Sequence, residues 1–299
     1  MATLIFTGAT DGDIAKAANW SPAQVPIDGD TLIFDGAAGH HVDTNLDHSG
    51  LHPLDLFIFQ TFQIYQIGTT AAYLKIGMPT GRLVIGENPG VGTPTGSNLI
   101  KLDLYVGSGA MAIGDIIVEN TNTSGADTTK PPVLLLADDS DIDLFVRKGK
   151  VGLAVDDPAE TATFGDVNIG WNASRSSDAD VRIGSGVTMT DLYKTGGKCQ
   201  LNCAGGAVEN LAGDLEILGD GAIASLTTRG GTVVPNSTGK ITAAYLHGGF
   251  TDWTRSNRPR TVDDIVYYPG AQFALDPNVM TITNDIAAGE AAKVSATAL

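Results

Sequence analysis

The feature that most restricts this 299-residue chain is a run of glycine turns set between short apolar segments in its last third. The turns read Ile183-Gly-Ser-Gly-Val187, Thr195-Gly-Gly-Lys198, Ala204-Gly-Gly-Ala207, Gly219-Asp-Gly-Ala222, Arg229-Gly-Gly-Thr232, His247-Gly-Gly-Phe250 and Pro269-Gly-Ala271. Second glycines of the first six fall at 186, 197, 206, 221, 231 and 249. This is a loose beat of about ten, and two beats match the ~20 residues of one parallel β-solenoid coil. Glycine supplies the positive φ that tight corners need. Between corners, segments such as Leu215-Glu216-Ile217 and Ile241-Thr242-Ala243 alternate apolar and polar residues, as a half-buried strand does. The sequence therefore predicts an all-β fold, a parallel β-helix or solenoid with an irregular N-terminal cap. An antiparallel β-sandwich, which also spaces short strands about every 8–12 residues, is the alternative.

Composition supports this reading. Acidic residues number 34, of which 28 are Asp and 6 Glu. Asp competes for its own backbone and favours turns, so the skew argues against helices. The net charge of −16 excludes nucleic acid and anionic membrane as main partners, because both demand a basic face. No apolar run reaches the ~18 residues of a spanning helix. Two cysteines exclude a disulfide scaffold. The opening Met1-Ala2-Thr3-Leu4-Ile5-Phe6 has no basic stretch ahead of an apolar one, so no secretion signal is expected.

Along the chain, residues 1–53 read as a capping or docking segment, 54–285 as the solenoid body and 286–299 as an Ala-rich tail. In the first segment, Ile14 to Asn19 suit one helical turn, Asp28-Gly29-Asp30 a turn and Thr31 to Phe34 a strand. Leu54 to Ile67 is the most strand-like run, and Leu102–Val106, Ile116–Val118, Val133–Leu136 and Leu144–Val146 are shorter ones. Residues 86–98 and 120–132 read as loops.

The segment Asn19-Trp20-Ser21, Val25-Pro26, then Asp28-Gly29-Asp30-Thr31-Leu32-Ile33-Phe34, resembles the "NW…VP…GD-T-hydrophobic" opening found ahead of β-solenoids in bacterial surface proteins and tailed-phage virion proteins. Leu226-Thr-Thr-Arg229-Gly-Gly-Thr232-Val-Val-Pro-Asn236 resembles the Gly-Gly-Thr-Val coils of the same proteins. With no secretion signal expected, the resemblance implies a phage virion component, assembled in the host cytoplasm. It implies a capsid decoration or cement protein that binds the major capsid protein or other virion subunits, as a homotrimer. The alternative is a tail fibre, tailspike or adhesin-like solenoid that binds or cleaves host glycans.

No catalytic residue is expected. Glycosidase chemistry needs two carboxylates set apart on one face. Here Asp is so frequent that Asp138-Asp139-Ser140-Asp141-Ile142-Asp143, Asp156-Asp157 and Asp263-Asp264 read first as solvated corners. No cofactor is expected, and Asp138, Asp141 and Asp143 are the metal candidates, for Ca²⁺, since hard oxygens on a tight turn suit that ion. His40, His41, His48 and His52 read as loop or interface residues, with zinc as the alternative. Cys199 and Cys203 lie ~13 Å apart on an extended strand, which makes them reduced core thiols. Trp20, Trp253, Arg255, Arg258 and Arg260 are the interface candidates, as Trp and Arg often anchor contacts.

Overall fold

A computed structural model describes residues 1–59, 61, 62, 65–86, 99–106, 114–119, 131–170 and 179–287 of the chain. The strands stack in parallel into a solenoid with two long sheets. The front sheet begins with Thr3–Phe6, Thr31–Phe34 and Asp55–Phe59 in register and ends with Met280–Ala287. The back sheet runs from Asp47–His48 to Gln272–Ala274. Strand Leu144–Leu153 serves both: its first half pairs with Val167–Ile169 in front, its second with Ala179–Ile183 behind. Gly149, at φ +100, lies between the two halves. A two-stranded third sheet, Ala162–Phe164 with Val187–Met189, closes part of the wall.

One inward row of the front sheet forms the spine of the core. Leu4, Leu32, Leu56, Leu83, Ile116, Leu144, Val167, Leu192, Val208, Leu226, Ala244 and Ile265 sit one above another and are all buried. The row follows from the two-residue alternation of strands, which sends every second side chain into the same stack.

The same pairs measure the coils. The longest runs from Leu83 to Ile116 and the shortest from Leu192 to Val208. The ~20-residue coil expected from the glycine beat thus holds only after Leu192, and the earlier coils exceed it. The beat is irregular because it mixes corners. Gly197, Gly213, Gly231 and Gly249 stack at one corner, each against the backbone of the one before. Gly221 and Gly239 stack at another. At the first corner both properties of glycine are needed. Gly231 has φ +70, and a Cβ there would lie 2.1 Å from the carbonyl oxygen of Gly213.

The opening motif builds the end of the stack. Asn19 accepts the Thr10 amide and hydroxyl, each at 2.8 Å, and donates to Asp11 and to the carbonyl of Asp13. Trp20 is buried, donates from Nε1 to the carbonyl of Ile14 at 2.7 Å, and packs edge-on against Phe6 and Phe34. Trp20-Ser21 then pairs antiparallel with Thr3–Phe6, covering the outer edge of the first strand. Asp30, fully buried, accepts the amides of Ala2 and Ile27. The segment 1–53 therefore contributes two rungs as well as a cap, and the boundary at 53 falls inside the stack. The short helical turn expected before Trp20 is a 3₁₀ turn at Ala17–Asn19.

Aspartates recur as bridges between coils. Asp28 accepts the amide of His52 (2.9 Å), Asp138 that of Val106 (2.9 Å), Asp143 that of Asp166 (2.8 Å) and Asp191 that of Ala207 (2.6 Å). Each carboxylate satisfies a corner N–H that the sheet ladder leaves unpaired. On the back sheet, residues 154–161 fold over the outer face. Lys101, buried on that face, pairs with Asp156 at 2.5 Å and lies 4.3 Å from the centre of the Tyr73 ring. Residues 288–299, most of the expected tail, lie outside the described residues, as do most of the expected loops at 86–98 and 120–132.

Candidate functional site

Of the interface candidates, Arg255 and Arg258 are exposed, whereas Trp20, Trp253 and Arg260 are buried. Trp253 belongs to the core at the C-terminal end of the stack. Arg260 donates to the carbonyls of Pro235, Ser256 and Arg258, tying the loop down from inside. Arg255 pairs with Asp252 at 2.9 Å while its side chain stays 66% exposed. Of the five candidates, Arg255 and Arg258 are thus the ones left exposed, and the two tryptophans are packed in the core.

The metal candidates separate. Asp138 and Asp143 accept backbone amides of different coils, and Asp139 accepts the amide of Asp141. Among the described residues no group of three or more His, Cys, Asp or Glu side chains is placed to hold a metal ion. The histidines are spread along the wall: His40 contacts the Gly8 carbonyl, His41 accepts the Gln66 amide, and His52 faces the Met78 carbonyl. Cys199 and Cys203 are free and buried, and burial pushes each thiol up to about 12.

A site does form on the outer face of the front sheet, where three strands and their ends place nine residues on a grid. Register aligns Phe145, Asn168 and Tyr193 in the middle row. One flank carries Asp143, Asp166 and Asp191; the other carries Arg147, Gly170 and Thr195. Because Asn168 and Gly170 are short and their neighbours large, a slot of about 240 Å³ opens between the middle row and the Arg147 flank, walled by Phe145 and Tyr193. Arg147 at one end pairs with Glu119 at 2.9 Å. At the other end the Thr195 hydroxyl donates to the carbonyl of Ile169, and Tyr193 donates to Asp191 at 3.1 Å. Burial, followed by the charges of Asp143 and Asp191, holds the Asp166 carboxyl above its usual range.

Asp143 is the one sequence candidate that reaches this grid. Phe145 lies in a run recognised as a strand and Tyr193 just before the glycine turn at Thr195, but every middle-row position stands a full coil away from the next along the chain. Only the coil register brings them together.

Comparison with protein-family models, curated proteins and solved structures gives no match.

Proposed function

We propose that the chain is a structural component of a tailed-phage virion, a decoration protein that binds the head shell as a trimer and stabilises it. One observation carries the reading: four corner aspartates, Asp28, Asp138, Asp143 and Asp191, accept backbone amides of a neighbouring coil, so part of the acidity of this chain serves rigidity. The opening motif that resembles virion solenoids supports it further, since Asn19, Trp20 and Asp30 all build the capped end. Arg255 and Arg258 are exposed cations on a chain of net charge −16 and would meet an acidic capsid surface. The test is co-sedimentation with expanded heads. Binding with a rise in head melting temperature, lost in the Arg255→Glu/Arg258→Glu double variant, is the expected result. Failure to bind heads at any protein excess rejects the reading.

A second reading, a glycan-binding solenoid of the fibre or adhesin kind, is favoured by the aromatic-walled slot on the front sheet.

A further inference from the structure

The geometry points to the slot between Phe145 and Tyr193 as a binding site for a single neutral hexopyranose ring. The inference rests on the glycan-binding reading and is independent of any role on a head shell.

Size comes first. Small-molecule pockets usually exceed ~300 Å³, so a slot of about 240 Å³ takes one ring rather than a chain of them. Its walls stand two rungs apart, about 10 Å at ~4.8 Å per rung, and side chains project roughly perpendicular to a sheet. A flat aromatic guest needs only ~7 Å between two walls at van der Waals contact and would be loose. A saturated chair is thicker and presents C–H groups on both faces, which suit the negative faces of Phe145 and Tyr193.

The polar groups agree with that guest. Asn168, at the floor, offers a donor and an acceptor from one amide, the pair that neighbouring hydroxyls on a sugar require. Thr195 and Arg147 lie at the two rims, within the lining of the same slot. Charge then sets the class. The one charged side chain in the lining, Arg147, is already paired with Glu119 at 2.9 Å, and the row Asp143, Asp166 and Asp191 runs beyond the middle row on the far side of the slot. A uronic or sialic acid would find its only nearby cation already paired and carboxylates on the neighbouring row, so the site favours neutral sugars.

The experiment is ligand-observed NMR on the full chain with methyl glucoside, methyl galactoside, methyl mannoside and N-acetylglucosamine, with glucuronate and adenosine as the charged and flat controls. At least one neutral sugar should bind with a Kd of about millimolar, as expected for some twelve heavy atoms. Phe145→Ala and Tyr193→Ala should each weaken it about tenfold. Asn168→Leu, which leaves both walls in place and fills the floor, should abolish it, and this variant keeps the test valid if either truncation impairs folding. Tyr245→Ala, three rungs along the same outward row, should leave binding unchanged. Equal or tighter binding of glucuronate or adenosine overturns the inference. Sugar binding that survives Asn168→Leu and the two truncations overturns the slot while leaving the glycan-binding reading intact. Absence of any binding, by these sugars or by host polysaccharide, rejects both.

Discussion

The early coils and the late coils solve the same packing problem differently. Seven coils carry the inward row from Leu4 to Leu192, and four carry it from Leu192 to Ile265, so an early coil is longer than a late one by about half. The inward row is alike in both halves, so the extra length of the first half does not enlarge this row; at 154–161 it folds back over the back sheet. The outward row differs too. It reads Ile5, Ile33, Phe57, Val84, Ile117, Phe145 through the long coils, then Asn168, Tyr193, Glu209, Thr227, Tyr245, Val266 towards and through the short ones. The short coils show what a rung minimally requires: an apolar inward row and corners tight enough for backbone to touch backbone. The long coils show that a rung tolerates excursions when a buried contact holds them.

The largest effect should come from breaking a tight corner. Gly231→Val places a β-branched residue at φ +70 with its Cβ against the Gly213 carbonyl. A loss of about 4 kcal/mol or more is expected, read from the urea midpoint or, if the chain no longer folds, from loss of soluble protein. The equivalent test in the long coils is the strap. Lys101→Met leaves Asp156 without its buried ammonium and should cost about 3 kcal/mol, with part recovered in Lys101→Met/Asp156→Leu. An unchanged urea midpoint would show that the strap is held by packing alone.

The next effect is pH-dependent and confined to the short coils. Lys194 is buried and donates to Asn210 (3.1 Å) and to the carbonyl of Ala212 (2.5 Å), and burial lowers its pKa to about 8. Above that value the folded chain holds a neutral amine while the unfolded chain, with an ordinary lysine near 10.5, still binds the proton. Stability from this group therefore rises from about pH 8 towards 10.5. The buried thiols act oppositely: their folded values of about 12 lie above the ordinary 9, so they lose stability as pH rises past 9. The difference between wild type and Lys194→Met cancels Cys203 but not all of Cys199, which lies in the field of Lys194, and it should grow across pH 8 to 10.5 in favour of wild type. A difference flat with pH would mean that Lys194 is charged throughout.

The smallest effect concerns the outward row. Ile117→Ser, in the apolar stretch, should cost about 1 kcal/mol, whereas Thr227→Ser, in the polar stretch, should stay within ~0.5 kcal/mol. Equal effects in thermal melts would show that the two outward stretches are energetically alike.

The legible part of the fold was what one strand or one corner encodes. Thr31 to Phe34 and Leu144 to Val146 announce strands by their own composition, and Gly231 or Gly249 announces a corner by needing no side chain. Gly213 escaped notice because it stands alone between Ala212 and Asp214, although it occupies the same stacked corner. The grid was not legible for a related reason. Phe145, Asn168 and Tyr193 become neighbours only through coil lengths that differ from rung to rung, and no local pattern states those lengths. Trp20 and Trp253 misled in the opposite sense: large aromatic side chains fit an interface and a capped core end equally well, and burial chose the latter.

The stacked glycines Gly213, Gly231 and Gly249 are evenly spaced along the chain, and the pair Gly221 and Gly239 repeats that spacing. Such a coil is a cassette. Its corners contact only equivalent corners above and below, so copying or deleting the segment from one stacked glycine to the next would insert or remove one rung without creating a new junction. Each copy would change the length of the rod by about 4.8 Å. Whole-coil duplication or deletion would thus change the short-coil half in equal steps, each set by one glycine-to-glycine segment.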